Sequence, residues 1–213
     1  MNQALKFPVQ GLYAITRDLE GDRASLVDEV AKAVRGGAAV IQYRAKRPLD
    51  PYSEATALLA LCRSAGIPLI INDDIALAQS VGADGVHLGS MDQAYSVARA
   101  QLGPKALIGV SCYDDIDRAK NAADQGADYV AFGRFFSSRT KPGAPTASLE
   151  TLLKARSIVR VPIVAIGGIT LENAETLLQQ GADLLAVVEG VFGVGDPEQN
   201  ARSFRDLFFE DFS

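Results

Sequence analysis

Gly126-Ala127-Asp128-Tyr129-Val130-Ala131-Phe132-Gly133 is a Gly-Ala-Asp triplet followed by an apolar run, and the same phrase recurs along the chain. Gly82-Ala83-Asp84 precedes Gly85 to Leu88, Gly181-Ala182-Asp183 precedes Leu184 to Val188, and Gly37-Ala38 precedes Ala39 to Tyr43. A glycine at the end of a helical segment fits a left-handed C-cap, and an alanine after it is small enough for the turn to pack under the next strand. Working outward, the apolar runs Leu12 to Ile15, Leu69 to Asn72, Leu107 to Ser111, Tyr129 to Phe132 and Ile163 to Ile166 complete a set of eight candidate strands. Between them lie segments of helical period, for instance Leu26, Val30, Ala33 and Val34, or Ala174, Leu177 and Leu178. Alternation of this kind describes a parallel sheet with crossover helices. Eight units in this length close most economically as an α/β (β/α)8 TIM barrel, a single domain over residues 1–213. A doubly wound open sheet is the weaker alternative, because no GxGxxG follows the first strand.

Composition narrows the function classes. With 48% hydrophobic and 22% charged residues, 213 residues suffice for one domain with a sizeable core. A formal net charge of -5 excludes a dedicated nucleic-acid binder, so any anion site must be local. Cys62 and Cys112 have no CxxC spacing and read as small core residues of a reducing compartment. Met1 to Pro8 lacks a signal pattern and no apolar run approaches a membrane span, so a cytoplasmic location and no membrane partner are expected. Small molecules are the expected partners, and assembly into a homo-oligomer is compatible with the sequence.

Chemistry in such a barrel sits at the C-terminal ends of the strands. The second strand ends Gln42-Tyr43-Arg44-Ala45-Lys46, where alternation predicts Gln42, Arg44 and Lys46 on one face at the mouth, a pairing of guanidinium and ammonium suited to phosphate oxygens. The third ends Asn72-Asp73-Asp74, and the fourth is followed by Ser90-Met91-Asp92. Asp73 and Asp92 on adjacent strands would repel by roughly 4 kcal/mol at an effective dielectric near 20, which calls for a cation or a proton between them. Mg2+ fits, since it binds through one or two carboxylates and completes its shell with water and substrate phosphate. Asp92 alone also fits an N-cap of the helix beginning near Gln93. Ser111 closes the fifth strand. After the sixth comes the longest connection, Gly133 to Pro145, whose Ser138, Arg139, Thr140 and Lys141 suit a lid over an anion. Gly167-Gly168 and Glu189-Gly190 end the last two strands, where exposed backbone N–H groups form the usual phosphate position. His87, the sole histidine, lies in an apolar strand and reads as a hydrogen-bonded core residue. The tail with Phe204, Leu207, Phe208, Phe209 and Phe212 reads as a last helix on the barrel.

The motifs Gly11-Leu12-Tyr13-Ala14-Ile15-Thr16, Gln42 to Lys46, Ile71-Asn72-Asp73-Asp74, Gly85 to Gly89 with Asp92, Gly109-Val110-Ser111, Thr140-Lys141 and Ile166 to Ile169 resemble, in this order and spacing, the thiamine-phosphate synthase family. The resemblance runs from Gly11 to about Gly193. It implies a transferase that joins an aminopyrimidine methyl diphosphate to a thiazole ethyl phosphate with release of pyrophosphate. By position it further implies that Gln42, Arg44, Lys46, Asn72, Ser111 and Lys141 hold the diphosphate, that Asp73 and Asp92 bind Mg2+, and that Ser138, Thr140, Gly168, Val188 and Glu189 fall at the thiazole phosphate. Tyr43, Ala45 and Arg139 complete the implied substrate-binding set, and Arg44, Lys46 and Lys141 are the implied catalytic cations. The chain departs from the family pattern at Ser90, Arg134, Ser137-Ser138 and Glu189, the last standing where a small hydroxyl residue is usual. Glu189 is expected either to turn away from the phosphate or to pair with Arg134 or Arg139. Two rival readings share the fold: a thiazole tautomerase and a non-catalytic barrel that binds a phosphorylated metabolite.

Overall fold

Strands β1 (Gly11–Ile15), β2 (Val40–Tyr43), β3 (Leu69–Asn72), β4 (Gly85–Leu88), β5 (Leu107–Tyr113), β6 (Tyr129–Gly133), β7 (Ile163–Ile166) and β8 (Leu184–Val187) pair in parallel, each with the next, and β8 with β1 closes the barrel. The structure, a computed structural model, describes residues 5–17, 23–89, 92–136 and 146–209, without the side chains of residues 23, 24 and 92–94. Helices follow the strands: α1 (Arg23–Arg35), α2 (Pro51–Ala65), α3 (Ile75–Val81), α4 (Asp92–Leu102), α5 (Ile116–Asp124), α6 (Leu149–Ile158), α7 (Leu171–Gln179), the short α8 (Glu189–Phe192) and α9 (Pro197–Asp206). The eight expected strands are all present, with ends shifted by a residue or two. The larger difference is β5, which runs on to Tyr113 through a register shift after Ser111. Strand β8 stops at Val187 because Val188 already caps α8.

The Gly-Ala-Asp phrase has a physical purpose at each position. Gly37, Gly82, Gly126 and Gly181 adopt φ of 101°, 69°, 94° and 102°. The alanine that follows each donates its N–H to the carbonyl five residues back, closing the helix end in the Schellman manner. The aspartate then reaches across to the neighbouring strand. Asp84 Oδ2 accepts from Leu69 N at 2.9 Å, Asp128 Oδ2 from Ile108 N at 2.8 Å and Asp183 Oδ2 from Ile163 N at 2.8 Å. Each carboxylate thus satisfies an amide at the start of an odd-numbered strand that the ladder leaves over. Arginines on the outer helices complete two of these contacts, Arg99 with Asp128 at 3.0 Å and Arg156 with Asp183 at 2.9 Å.

Alternation along the strands sorts two cores. Tyr13, Val40, Ile70, Leu107, Tyr129, Val164 and Leu184 fill the barrel interior. Residues of opposite parity, such as Ile41, Tyr43, Ile71 and Val130, face the helices in a larger outer core. Both cysteines are buried and free, and burial pushes their thiols up to about 12. Phe204 of α9 packs into the outer core, whereas Phe209 beyond it is exposed and Phe212 lies outside the described residues. Among the described residues no helix is long and apolar enough to cross a membrane.

Replacing Asp128 with Ala strands the Ile108 amide and removes the carboxylate that pairs with Arg99, and should cost about 2 kcal/mol. Asp128→Asn, which keeps an acceptor, should cost about half of that. Urea unfolding followed by circular dichroism reads the difference, and equal losses in both variants would contradict the capping role.

Candidate active site

A cavity of about 600 Å3 opens at the C-terminal ends of the strands. Gln42 stands inside the barrel, 3% exposed, and donates from Nε2 to the Tyr13 hydroxyl at 2.8 Å. Arg44 is half-buried on the cavity wall. Its backbone is fixed from both sides by the buried Thr16, whose Oγ1 donates to the Arg44 carbonyl at 2.9 Å and accepts from the Arg44 amide at 2.9 Å. The intervening Tyr43 faces the other way and donates its hydroxyl to the buried Glu54 carboxylate of α2 at 2.5 Å. Ala45 packs against the outer core. Lys46 corrects the sequence expectation. Strand β2 ends at Tyr43, so alternation does not carry on to residue 46, and the lysine is exposed and outside the cavity wall.

Asn72 and Asp73 follow on the wall. Asp73 has φ of 61°, a left-handed conformation that aspartate tolerates better than most residues. Its carboxylate accepts from Asn72 Nδ2 at 2.8 Å and from the Gly89 amide at 3.0 Å. Those two bonds hold the side chain at the rim and tie it to the end of β4. The neighbouring Asp74 is spent on structure, since its side chain caps α3 through Leu77 N at 2.8 Å. Asp92 is the first residue of α4, and its side chain lies outside the description. Ser90 lies there too.

Ser111 lies half-buried on the wall, with its Oγ 2.9 Å from His87 Nε2. Ser138, Arg139, Thr140 and Lys141 lie outside the described residues. The stems of their connection are fixed: Ala147 N donates to the Arg134 carbonyl at 2.8 Å, and Phe136 N donates to Gly167 O at 3.0 Å. Arg134 itself lines the cavity. Gly167 has to be glycine there, because a Cβ would lie 2.3 Å from the Arg134 Cβ at a φ of 105°. Gly168, Val188 and Glu189 complete the wall on the opposite side.

Glu189 is exposed, and its Oε2 sits 2.9 Å from where a Cβ on Gly193 would be, so the side chain folds back along its own short helix. It contributes to the field at Arg17, whose pKa is raised first by its hydrogen bond to Glu29 and further by the charges of Glu29 and Glu189. Arg17, just beyond β1, did not enter the sequence reading as a neighbour of Glu189. His87 is 9% exposed with both ring nitrogens hydrogen-bonded, as expected of a core histidine, yet it also lines the cavity. Tyr13, Thr16 and Tyr129 were missed as site-building residues. The available signal was a hydroxyl inside each of two otherwise apolar strands, at the parity that faces the barrel axis.

Two arginines, a rim carboxylate and a glycine-lined backbone facing one another across a cavity in a chain of net negative charge define a barrel enzyme for small phosphorylated molecules. Residues 12–191 match the family model described as thiamine monophosphate synthase, and the chain belongs to that family. It is a transferase of thiamine biosynthesis. The chain is 53% identical over 202 residues to the thiamine-phosphate synthase of Azoarcus sp. strain BH72, spanning 94% of this chain and 98% of that one. It is 51% identical over 207 residues to that of Methylococcus capsulatus, spanning 96% and 92%. The solved thiamine phosphate pyrophosphorylase of Pyrococcus furiosus superposes with a TM-score of 0.82 at 34% identity, covering 92% of this chain and 94% of that one.

Because Tyr43 points away from the cavity, Tyr43→Phe should act on stability alone. Removing the hydroxyl donor of Glu54 Oε2 should cost about 2 kcal/mol in chemical unfolding, while kcat/KM stays within about twofold. A large loss of kcat/KM at unchanged stability would place the hydroxyl in the site.

Proposed function

We propose that the chain joins 4-amino-2-methyl-5-pyrimidinylmethyl diphosphate to 4-methyl-5-(2-phosphoethyl)thiazole, giving thiamine phosphate and pyrophosphate. The observation that carries this reading is the division of one cavity between Arg44, Asn72, Asp73 and Ser111 on the β2 to β5 side and Gly168, Val188 and Glu189 on the β7 and β8 side. That division provides for two anions at once. The diphosphate belongs over β2 to β5, with Gln42, Arg44, Asn72 and Ser111 around it, and the thiazole phosphate over the glycines of β7 and β8, with Ser138, Arg139 and Thr140 assigned to it as further ligands.

The bond from the CH2 carbon to the diphosphate oxygen breaks, and its electron pair leaves with pyrophosphate. The electron-rich aminopyrimidine stabilises the resulting CH2 cation. The thiazole nitrogen lone pair then forms the new C–N bond. No protein nucleophile enters, in keeping with two buried thiols held neutral and a histidine whose nitrogens are both engaged. Arg44 and Lys141 meet the charge that develops on the leaving group, and the lid excludes water.

Asp73 and Asp92 would hold Mg2+. The donor chemistry fits, because each Asp73 oxygen accepts a single N–H and an ionised carboxylate keeps further lone pairs. Such an ion needs only one or two protein carboxylates and takes the rest of its shell from water and substrate. When bound, Mg2+ supplies charge neutralisation at the phosphate oxygens. The exposed Glu189, folded toward Gly193, leaves the backbone at the start of α8 to the phosphate. The partners are these two phosphorylated molecules, with neither nucleic acid nor membrane. A cytoplasmic setting suits the two free thiols, and association between copies of the chain is compatible with a mouth built from one chain's strand ends.

A tautomerase working on the thiazole phosphate alone would leave the held Asp73 carboxylate and Arg44 without a purpose. Mixing both substrates decides between them. Pyrophosphate should appear in step with thiamine phosphate and cease on chelation of the metal. Asp73→Ala should lower turnover strongly, and Lys141→Ala should lower it on the order of 100-fold. Undiminished turnover with chelator present would contradict the metal assignment, and the absence of pyrophosphate would contradict the reaction.

A further inference from the structure

Beneath the cavity a chain of hydrogen bonds crosses the barrel interior. Gln42 Nε2 donates to Tyr13 OH at 2.8 Å, Tyr13 OH lies 2.8 Å from Tyr129 OH, Tyr129 OH lies 3.1 Å from His87 Nδ1, and His87 Nε2 lies 2.9 Å from Ser111 Oγ. Tyr13 and Tyr129 are 1% and 0% exposed, and burial raises the pKa of both, so their hydroxyls keep their hydrogens. The Tyr129 ring reaches this position only because residue 109 is glycine. A Cβ there would lie 1.9 Å from the ring's Cζ. Phe7 stacks on the same ring, with centroids 3.9 Å apart and planes within 9°.

Counting hydrogens along the chain gives it a direction. An amide nitrogen only donates, so Tyr13 accepts from Gln42 and must send its own hydrogen to Tyr129. Tyr129, having accepted, sends its hydrogen to His87 Nδ1. The imidazole then carries its hydrogen on Nε2 and gives it to Ser111 Oγ. Ser111, at the cavity wall, is left with a hydrogen to donate. The reverse order requires Gln42 Oε1 to face Tyr13, and it would leave Ser111 donating to His87 and accepting from the cavity.

We propose that Tyr129 is a positioning residue: by donating to Nδ1 it holds His87 as the Nε2–H tautomer and so makes Ser111 a hydrogen-bond donor to an acceptor atom of the ligand. The acceptor is a diphosphate oxygen or a pyrimidine ring nitrogen. The catalytic consequence rests on the reaction proposed above, whereas the tautomer does not.

The chain contains one histidine, so 15N-histidine labelling of this chain gives a single imidazole whose two nitrogen shifts report the tautomer directly. The wild-type protein should show the Nε2–H form, and so should Ser111→Ala, because the tautomer is set from the Tyr129 side. Tyr129→Phe, which keeps the ring and its stacking, should show a mixture or the Nδ1–H form, with kcat reduced about tenfold. Adding Tyr129→Phe to Ser111→Ala should lower kcat no further, since both act through one hydroxyl. Binding of Mg2+-pyrophosphate and of 4-amino-5-hydroxymethyl-2-methylpyrimidine to Tyr129→Phe identifies the acceptor, and weakening of either supports the proposal. An Nδ1–H tautomer in the wild type, an unchanged tautomer in Tyr129→Phe, or full additivity of the two substitutions would overturn it. Should the mixed substrates give no turnover, the nitrogen shifts still decide the tautomer.

Discussion

In a closed parallel barrel every strand starts at one rim and ends at the other, so the two rims meet opposite demands from the same backbone. At the starting rim the ladder leaves strand amides unsatisfied, and Asp84, Asp128 and Asp183 accept from them. At the ending rim Asp73 takes N–H donors from Asn72 and Gly89 and faces the cavity. The residue type is the same; its position relative to the strand decides whether the carboxylate closes the barrel or serves the ligand. With the starting rim stitched by carboxylate-to-amide bonds, the ending rim can carry a left-handed Asp73, paired positive-φ glycines at 167 and 168 and a long connection.

The interior joins the two rims. A barrel of eight strands has room for side chains and for little else, and tyrosine or histidine placed there must partner every polar atom. Gln42, Tyr13, Tyr129, His87 and Ser111 do so in sequence, from one side of the barrel across to the cavity wall. Gly109 is the space that permits the crossing. Apolar side chains could have filled the same volume, but they would not deliver an oriented hydroxyl at the wall.

Strand number, order and parity were legible because buried parallel strands must be short, apolar and bounded by caps, and the Gly-Ala pairs marked the caps in the letters themselves. Parity also placed Gln42 inside. It misplaced Lys46, since alternation holds only while the chain remains a strand and β2 ends at Tyr43. Tyr13 and Tyr129 were hidden for a different reason. In a one-dimensional reading a tyrosine in an apolar strand is one more large side chain, and the partners that give its hydroxyl meaning lie 116 positions apart. The neighbourhood of Glu189 was equally out of reach, because its relation to Arg17 exists only once β8 closes on β1.

The proposed reaction combines a metal-assisted departure of pyrophosphate over β2 to β5 with a thiazole phosphate held by backbone over β7 and β8. Crystals grown with thiamine phosphate, pyrophosphate and Mg2+ test it most directly. The account predicts pyrophosphate beside Arg44 and Ser111 with Asp73 in the shell of the ion, and the phosphate of thiamine phosphate against Gly168 and the start of α8. Pyrophosphate bound away from Asp73, or a thiamine phosphate whose phosphate occupies the β2 to β5 side, would contradict it.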